Sequence, residues 1–227
     1  MCIFQVPEMT FLGYKVSAEG SQPLEERVTD LPECQPPKTA SQLCRFLGML
    51  NYYRRFLPHA AAHQVPLHDV LSGPKVKGSH TITWTPELHR AFEGCKASVS
   101  RATLLAHPDP SAPLALVTDA SSSNMGAVLQ QRVENALQPL AFFSRKLNPA
   151  QQNYSAYDRE LLAIYEAVKH FCHMLEARHF SIFTDHKPIT YAFQQKRDKC
   201  SPRAFNSREQ LLTTQRLTDS WNVSTEH

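Results

Sequence analysis

Two apolar runs in this sequence each end at an aspartate. The run "LALVTD" spans Leu114 to Asp119, and "FSIFTD" spans Phe180 to Asp185. Both runs are typical of buried strands, in which side chains alternate between the two faces. If the two strands lie side by side, both carboxylates reach the same end of one sheet. Taken alone, each aspartate is commonly a turn residue or a helix cap.

A third carboxylate, Glu160, falls in the first turns of a predicted helix. At ~100° per residue it lies about 60° from the centre of the apolar stripe, so we expect it to lean towards the sheet. The alternative is a solvated residue stabilised by the helix dipole. Three carboxylates held together repel one another and raise one another's pKa values, and a divalent cation removes that penalty. Oxygen ligands of this kind suit Mg²⁺ or Mn²⁺ rather than zinc.

The elements that would carry these acids form an alternating pattern of strands and helices. "GAVLQQ" and "QPLAFFSRKL" predict two further strands, which would complete an antiparallel meander with the first. Ser155 is a candidate cap for the following helix, with Asp158 three residues on. "FSIFTD" is the fourth strand, and Pro188 opens a predicted short helix. The pattern predicts a mixed sheet covered by helices.

The sequence before residue 107 favours helices instead. "TASQLCRFLGMLNYYRRFLP" has a helical apolar period and can be capped by Thr39 or Ser41. A second helix is predicted from Thr85, with Pro86 at its first position. "HPDPSAP" interrupts the chain after it, which places a domain boundary between about 100 and 113.

Composition sets broad limits on function. The chain has 227 residues, 42% hydrophobic and 20% charged, with a formal net charge of +3, which is compatible with nucleic acid. None of the six cysteines forms a CxxC pair, so a zinc site is not indicated. There is no signal peptide pattern and no apolar window long enough for a membrane span. We therefore expect a soluble intracellular protein, cytoplasmic or nuclear, with no membrane partner.

The wording around the acids resembles a known family. "TDASSSNMGAVL", "AFFSRKL", "YSAYDRELLAIYEAVKHF" and "FTDHKPITYAF" resemble the ribonuclease H (RNase H) domain of gypsy-class LTR retrotransposon polyproteins. Upstream, "FLGYKVSAEG", "FLGMLNYYRRFLP" and "WTPELHRAF" resemble the thumb and connection region of the reverse transcriptase in the same polyproteins. These motifs follow one another in the family's order from about Thr10 to Arg203.

The resemblance implies an α/β fold: an RNase H-like mixed sheet flanked by helices, preceded by a small, mainly helical region. It divides the chain into a thumb and connection region at 1–106, a truncated RNase H-like domain at 107–203 and a divergent tail at 204–227. A fourth metal-binding aspartate of the family has no match, since Asp198 and Asp219 are in the wrong context. The C-terminal strand and helix are therefore expected to be incomplete.

The resemblance also implies hydrolysis of the RNA strand of an RNA–DNA hybrid with two Mg²⁺ (or Mn²⁺) ions. Asp119, Glu160 and Asp185 match the family's catalytic, metal-binding carboxylates. The alternative is an inactive remnant that binds nucleic acid or protein; neither version would polymerise DNA. A hybrid-binding surface needs cations for phosphates and polar groups for 2′-hydroxyls, although surface cations equally serve solubility. The predicted nucleic-acid-binding residues are Ser121, Ser122, Asn124, Arg145, Lys146, His186 and Lys187.

Overall fold

A computed structural model describes residues 6–24, 26, 34–72 and 77–189, together with the backbone of Trp221–Thr225. The chain divides into two compact units, Met1–His107 and Pro108–His227. No helix in the described ranges is both long enough and apolar enough to cross a bilayer.

The first unit begins with a small antiparallel sheet. Its strands are β1 (Glu8–Phe11), β2 (Tyr14–Ser17) and β3 (Gly20–Pro23), paired in that order. Leu12 and Gly13 form the two-residue turn between β1 and β2, with φ of 47° and 76°. Positive φ at both positions is the geometry that tight hairpins favour. The sequence analysis did not predict this sheet, because all of β1 is exposed and carries no clear apolar alternation.

Three helices build the core of the first unit. They are α1 (Ala40–Tyr52), α2 (Ala60–Leu71) and α3 (Pro86–Ser100). The side chain of Thr39 caps α1 in a capping box with Gln42, and the side chain of Thr85 caps α3. Their buried faces supply the largest fully buried side chains of this core, Leu43, Phe46, Leu50, Leu67 and Phe92. The sequence analysis missed α2, which contains Pro66; an interior proline removes a backbone donor and argues against a helix.

The second unit is built on a five-stranded mixed sheet. The strands are β4 (Leu114–Ala120), β5 (Asn124–Val133), β6 (Ala136–Lys146), β7 (Phe180–Thr184) and β8 (Trp221–Thr225). Their order across the sheet is β6-β5-β4-β7-β8. The first three strands form the predicted antiparallel meander, and β7 runs parallel to β4. Only Glu134 and Asn135, both with positive φ, separate β5 from β6, so these strands are longer than predicted.

Three helices lie between β6 and β7 in the chain. They are α4 (Pro149–Gln152), α5 (Ala156–His170) and α6 (Cys172–Leu175). The Ser155 hydroxyl accepts the Asp158 backbone N–H and caps α5, as predicted. Helix α5 packs on β4 and β5 through apolar side chains that are almost fully buried, Leu161, Ile164 and Val168. Residues 187–189 are helical where a short helix was predicted from Pro188, and the rest of that prediction lies outside the described residues.

The C-terminal end of the sheet corrects one expectation. The sequence analysis expected the last strand to be incomplete, but β8 pairs with β7 in parallel over five residues, from Phe180 opposite Trp221 to Thr184 opposite Thr225. A strand needs a free sheet edge and residues that accept an extended backbone, such as Val223 and Thr225. A strand can therefore form here without the family's sequence motif. The predicted missing helix, with Asp198 and Asp219, falls outside the described residues.

Candidate metal centre at the end of the sheet

The parallel pairing of β4 with β7 sets two of the acids side by side. Thr118 lies opposite Thr184 in the register, and each is followed directly by an aspartate, Asp119 or Asp185. Both aspartates are exposed at the same end of the sheet. The convergence of the two strand ends, expected only if the strands were neighbours, is therefore present in the structure.

Glu160 approaches the same place from α5 and is buried, with 5% of its surface exposed. One carboxylate oxygen, Oε1, accepts the backbone N–H of Ala120 at 3.0 Å. This bond ties the helix to the end of β4, one residue after Asp119. The other oxygen, Oε2, is buried and has no hydrogen-bond partner among the described residues. A buried acceptor without a partner is costly, so this oxygen is available to a ligand.

The three carboxylates form a single cluster. One ligand oxygen from each of Asp119, Glu160 and Asp185 lies within 4.8 Å of the other two. Burial, followed by the negative charges of the two aspartates, raises the pKa of Glu160 from 4.5 to about 7. The Ala120 N–H bond and the Arg159 guanidinium oppose this shift without cancelling it. The cluster therefore has excess negative charge.

A small divalent cation fits this donor set. Mg²⁺ binds carboxylate oxygens at about 2.1 Å, so two oxygens on one ion are at most about 4.2 Å apart. The present separations need only small side-chain rotations, which the two exposed aspartates can make. The structure thus brings together all three of the predicted metal-binding acids, and their negative charge favours a cation.

The polar turn after β4 lies beside the acids. Ser121 and Ser122 are exposed, and Asn124 is half-buried at the start of β5. The Asn124 backbone N–H donates to the Ser121 hydroxyl at 3.0 Å, and that hydroxyl donates to the Asn124 carbonyl at 3.1 Å. The Asn124 side-chain oxygen Oδ1 is buried without a hydrogen-bond partner in the described residues. The turn is therefore held in one shape, with hydroxyl groups at its surface.

The two cations of "SRKL" are in different situations. Lys146 is half-buried and lies opposite Asn124 in the register, at the same end of the sheet as the acids. Arg145 forms an ion pair with Glu166 of α5, with Nη1 2.9 Å from Oε2. This predicted nucleic-acid-binding residue thus already has a carboxylate partner within the fold.

The two residues after Asp185 also differ. Lys187 is exposed, and His186 is half-buried against the ring of Tyr157, with ring centroids 5.9 Å apart. Tyr157 was not among the predicted site residues. Its position three residues before Glu160 is the signal that would have placed it near the acids, because residues three apart share a helix face.

Comparison with known proteins agrees with this architecture. A family model described as the RNase H-like domain found in reverse transcriptase matches residues 84–182. This part of the chain is therefore similar to that RNase H-like domain. The match includes Asp119 and Glu160, ends before Asp185, and begins within the first unit at the residue before the α3 cap.

The chain is also similar to curated proteins. It is 35% identical over 191 residues to the Tf2-3 and Tf2-4 transposon polyproteins of Schizosaccharomyces pombe. The aligned part is 83% of this chain but 14% of each polyprotein. The predicted relation to retrotransposon polyproteins is therefore confirmed, for a chain that spans a small part of those relatives.

Solved structures confirm the fold of this chain. A foamy viral protease-reverse transcriptase in complex with double-stranded DNA has a TM-score of 0.78, covering 96% of this chain and 38% of that one, at 18% identity. A second, in complex with an RNA/DNA hybrid, has a TM-score of 0.76, covering 97% of this chain and 29% of the other, also at 18% identity. At this identity the likeness concerns the fold, and it confirms the predicted α/β class of a mixed sheet flanked by helices.

Proposed function

We propose that this chain is a metal-dependent ribonuclease that cleaves the RNA strand of an RNA–DNA hybrid. The observation that carries the proposal is the convergence of Asp119, Glu160 and Asp185 at one sheet end, with a buried, unpartnered oxygen on Glu160. The similarity of residues 84–182 to the RNase H-like domain found in reverse transcriptase supports the same reaction class.

In this proposal the three acids hold two Mg²⁺ or Mn²⁺ ions. Such ions, when bound, activate a water molecule and stabilise the leaving oxygen of a phosphodiester. Glu160 is fixed in advance by the Ala120 N–H, so one of its oxygens stays directed at the site. The exposed Asp119 and Asp185 can rotate to complete the coordination.

The surface beside the acids supports a nucleic-acid substrate. Hydroxyl groups of Ser121 and Ser122 are suited to the 2′-hydroxyls of an A-form minor groove, and Lys146 and Lys187 to phosphates. We assign Asn124 and His186 to the same proposed surface, whereas Arg145 is ion-paired with Glu166 of α5. The foamy viral neighbour in complex with an RNA/DNA hybrid has the same fold.

A cleavage assay tests the proposal. The full chain is incubated with a labelled RNA–DNA hybrid across a series of Mg²⁺ and Mn²⁺ concentrations. We expect Asp119→Asn to lower the rate at least about 100-fold, because metal-held charge stabilisation is worth several kcal/mol. The matched control is Glu134→Gln at the β5–β6 turn, at the far end of β5 from the acids, which should cleave at the wild-type rate. No cleavage by wild type with either metal would refute the proposal.

The second candidate is a nucleic-acid-binding module without catalysis. It is favoured by the number of acids, since the cluster found in the described residues has three carboxylates where the resemblance implies four. In this case the hybrid binds wild type and Asp119→Asn equally, and neither cleaves it. Gel-shift measurements on the same two proteins separate the candidates.

A further inference from the structure

One ring pair lies next to the acid cluster. Tyr157 belongs to α5 and precedes Glu160 by three residues; His186 follows Asp185 directly. Their rings meet edge to face, with centroids 5.9 Å apart and an interplanar angle of 65°. The contact therefore joins the same two elements that carry Glu160 and Asp185.

The backbone around His186 is held on both sides. Its N–H donates to the hydroxyl of Thr184 at 3.2 Å, and its carbonyl accepts the N–H of Ile189 at 3.0 Å. Both Thr184 and Ile189 are buried, at 1% and 0% exposure. These bonds fix the backbone next to Asp185, and the imidazole that it carries contacts Tyr157.

The acids themselves oppose this arrangement. Like charges at close range repel, and that repulsion acts between α5 and the end of β7. One oxygen of Glu160 accepts the Ala120 N–H, but no hydrogen bond or ion pair joins Glu160 to Asp185 in the described part of the chain. An edge-to-face ring contact beside the carboxylates supplies an attraction between the two elements where the charges push them apart.

We propose that Tyr157 and His186 are positioning residues that hold Asp185 at the separation from Glu160 that a divalent cation requires. The inference rests on the proposed function, because it concerns the same metal site. It adds two residues that act through the acids. His186 was predicted only as a nucleic-acid contact, and Tyr157 was not predicted as part of the site.

Binding of Mn²⁺ alone to the full chain tests the inference without any substrate. Free Mn²⁺ is followed by electron paramagnetic resonance for wild type, Tyr157→Leu, His186→Leu and the double variant. Each single substitution should weaken Mn²⁺ binding roughly 10-fold, as loss of groups that orient metal ligands does. The double variant should bind about as weakly as either single one, because both substitutions remove the same contact.

Two further variants separate positioning from general stability. Tyr157→Phe keeps the ring and should keep wild-type Mn²⁺ affinity. Tyr165→Leu removes a ring from the same helix that packs with Met125 and Leu162 instead; it should lower the melting temperature and leave Mn²⁺ affinity unchanged.

The outcomes distinguish the two proposals. If wild type binds no Mn²⁺, the metal site itself is refuted and the inference with it. If wild type binds Mn²⁺ and the Tyr157 and His186 variants bind it equally well, only the positioning role is overturned. Additive losses in the double variant, a loss in Tyr157→Phe, or an equal loss in Tyr165→Leu would likewise overturn it.

Discussion

Both units of this protein fasten a strand end to a helix with side chains, and they do so with opposite chemistry. In the first unit the β1–β2 turn is held by the hairpin clamp, which we define as Tyr14, Tyr52 and Tyr53. Tyr14 and Tyr52 stack with centroids 5.2 Å apart and planes 3° apart, and the Tyr52 hydroxyl donates to the Leu12 carbonyl. In the second unit the strand ends and helix meet through three acids.

The difference lies in what each group of side chains needs. The rings of the hairpin clamp attract one another, and burial raises the pKa of Tyr14 to about 12, so its hydroxyl stays neutral. The acids repel one another and leave a buried oxygen without a partner. The side chains of the hairpin clamp satisfy one another, whereas in the proposed function the acid cluster is completed by a cation. A set of contacts that weakens the fold is thus the better guide to function.

The largest loss of unfolding free energy is expected from a substitution that removes the packing next to the hairpin clamp. Phe56 is fully buried, and its ring centroid lies 5.2 Å from that of Tyr14. Phe56→Ala should lower the free energy of unfolding by about 3–5 kcal/mol, through lost burial and a cavity. Chemical denaturation measures this, and Mn²⁺ affinity should be unchanged. Phe11→Ala, at an exposed position, should cost less than about 0.5 kcal/mol; equal losses would show that burial does not set the cost.

The next largest effect is a pH dependence of stability that comes from the acid cluster and not from the hairpin clamp. The pKa of Glu160 in the folded protein, about 7, lies above its ordinary value of 4.5. The folded state therefore favours the protonated acid, and this contribution is full below pH 4.5 and lost as pH rises through 7. The metal-free protein should lose about 3 kcal/mol of unfolding free energy across that window, at about 1.36 kcal/mol per unit.

Urea unfolding in EDTA at pH 4 to 8 measures this loss. Glu160→Gln should flatten the profile across this window, since the amide does not ionise. Glu134→Gln is the matched control at an exposed site and should keep the wild-type slope. A wild-type profile already flat between pH 4.5 and 7 would contradict the burial of a titrating acid.

A somewhat smaller effect comes from the cation itself. At pH 7.5, Mn²⁺ at about 100 times its dissociation constant should stabilise the folded protein by about 2.7 kcal/mol, because only the folded state has the site. Asp185→Asn should reduce this stabilisation, as seen in the melting temperature with and without metal. An equal shift in wild type and Asp185→Asn would place the bound metal elsewhere.

The smallest effect concerns one hydroxyl of the hairpin clamp. Tyr52→Phe keeps the stacked ring but removes the donor to the Leu12 carbonyl. A net loss of about 0.5–1.5 kcal/mol is expected in the free energy of unfolding, the usual worth of one such bond. No change at all would mean that stacking alone holds the turn. Metal affinity should again be unaffected, which separates this unit's contacts from the acids.

Much of the site-bearing fold follows from local sequence signals. The caps at Thr39, Thr85 and Ser155 begin helices where predicted, since a side-chain acceptor followed by helical apolar spacing is a strong signal. The convergence of Asp119 with Asp185 needed an additional fact, the parallel pairing of their strands. The pairing of two strands that are distant in the chain cannot be predicted from the residues of either strand alone.

The failures have equally local causes. The sequence predicted that Glu160 points towards the sheet, but not that it is buried. The helical period gives the direction of a side chain and not how closely the helix packs. The Arg145–Glu166 pair was missed, because cross-element ion pairs depend on how helix and sheet pack. Strand β8 was missed because the family's sequence motif is absent there. Backbone pairing between strands does not require that motif, since many sequences can adopt an extended backbone.

The pairing of β7 with β8 also determines which strand lies at the edge of the sheet. With β4 on one side and β8 on the other, the strand that leads to Asp185 is interior to the sheet. Removing residues 221–227 would turn β7 into an edge strand, with a row of unsatisfied amides beside the acids. Such an edge invites pairing with another chain, so we expect β8 to keep that kind of contact one strand away from Asp185.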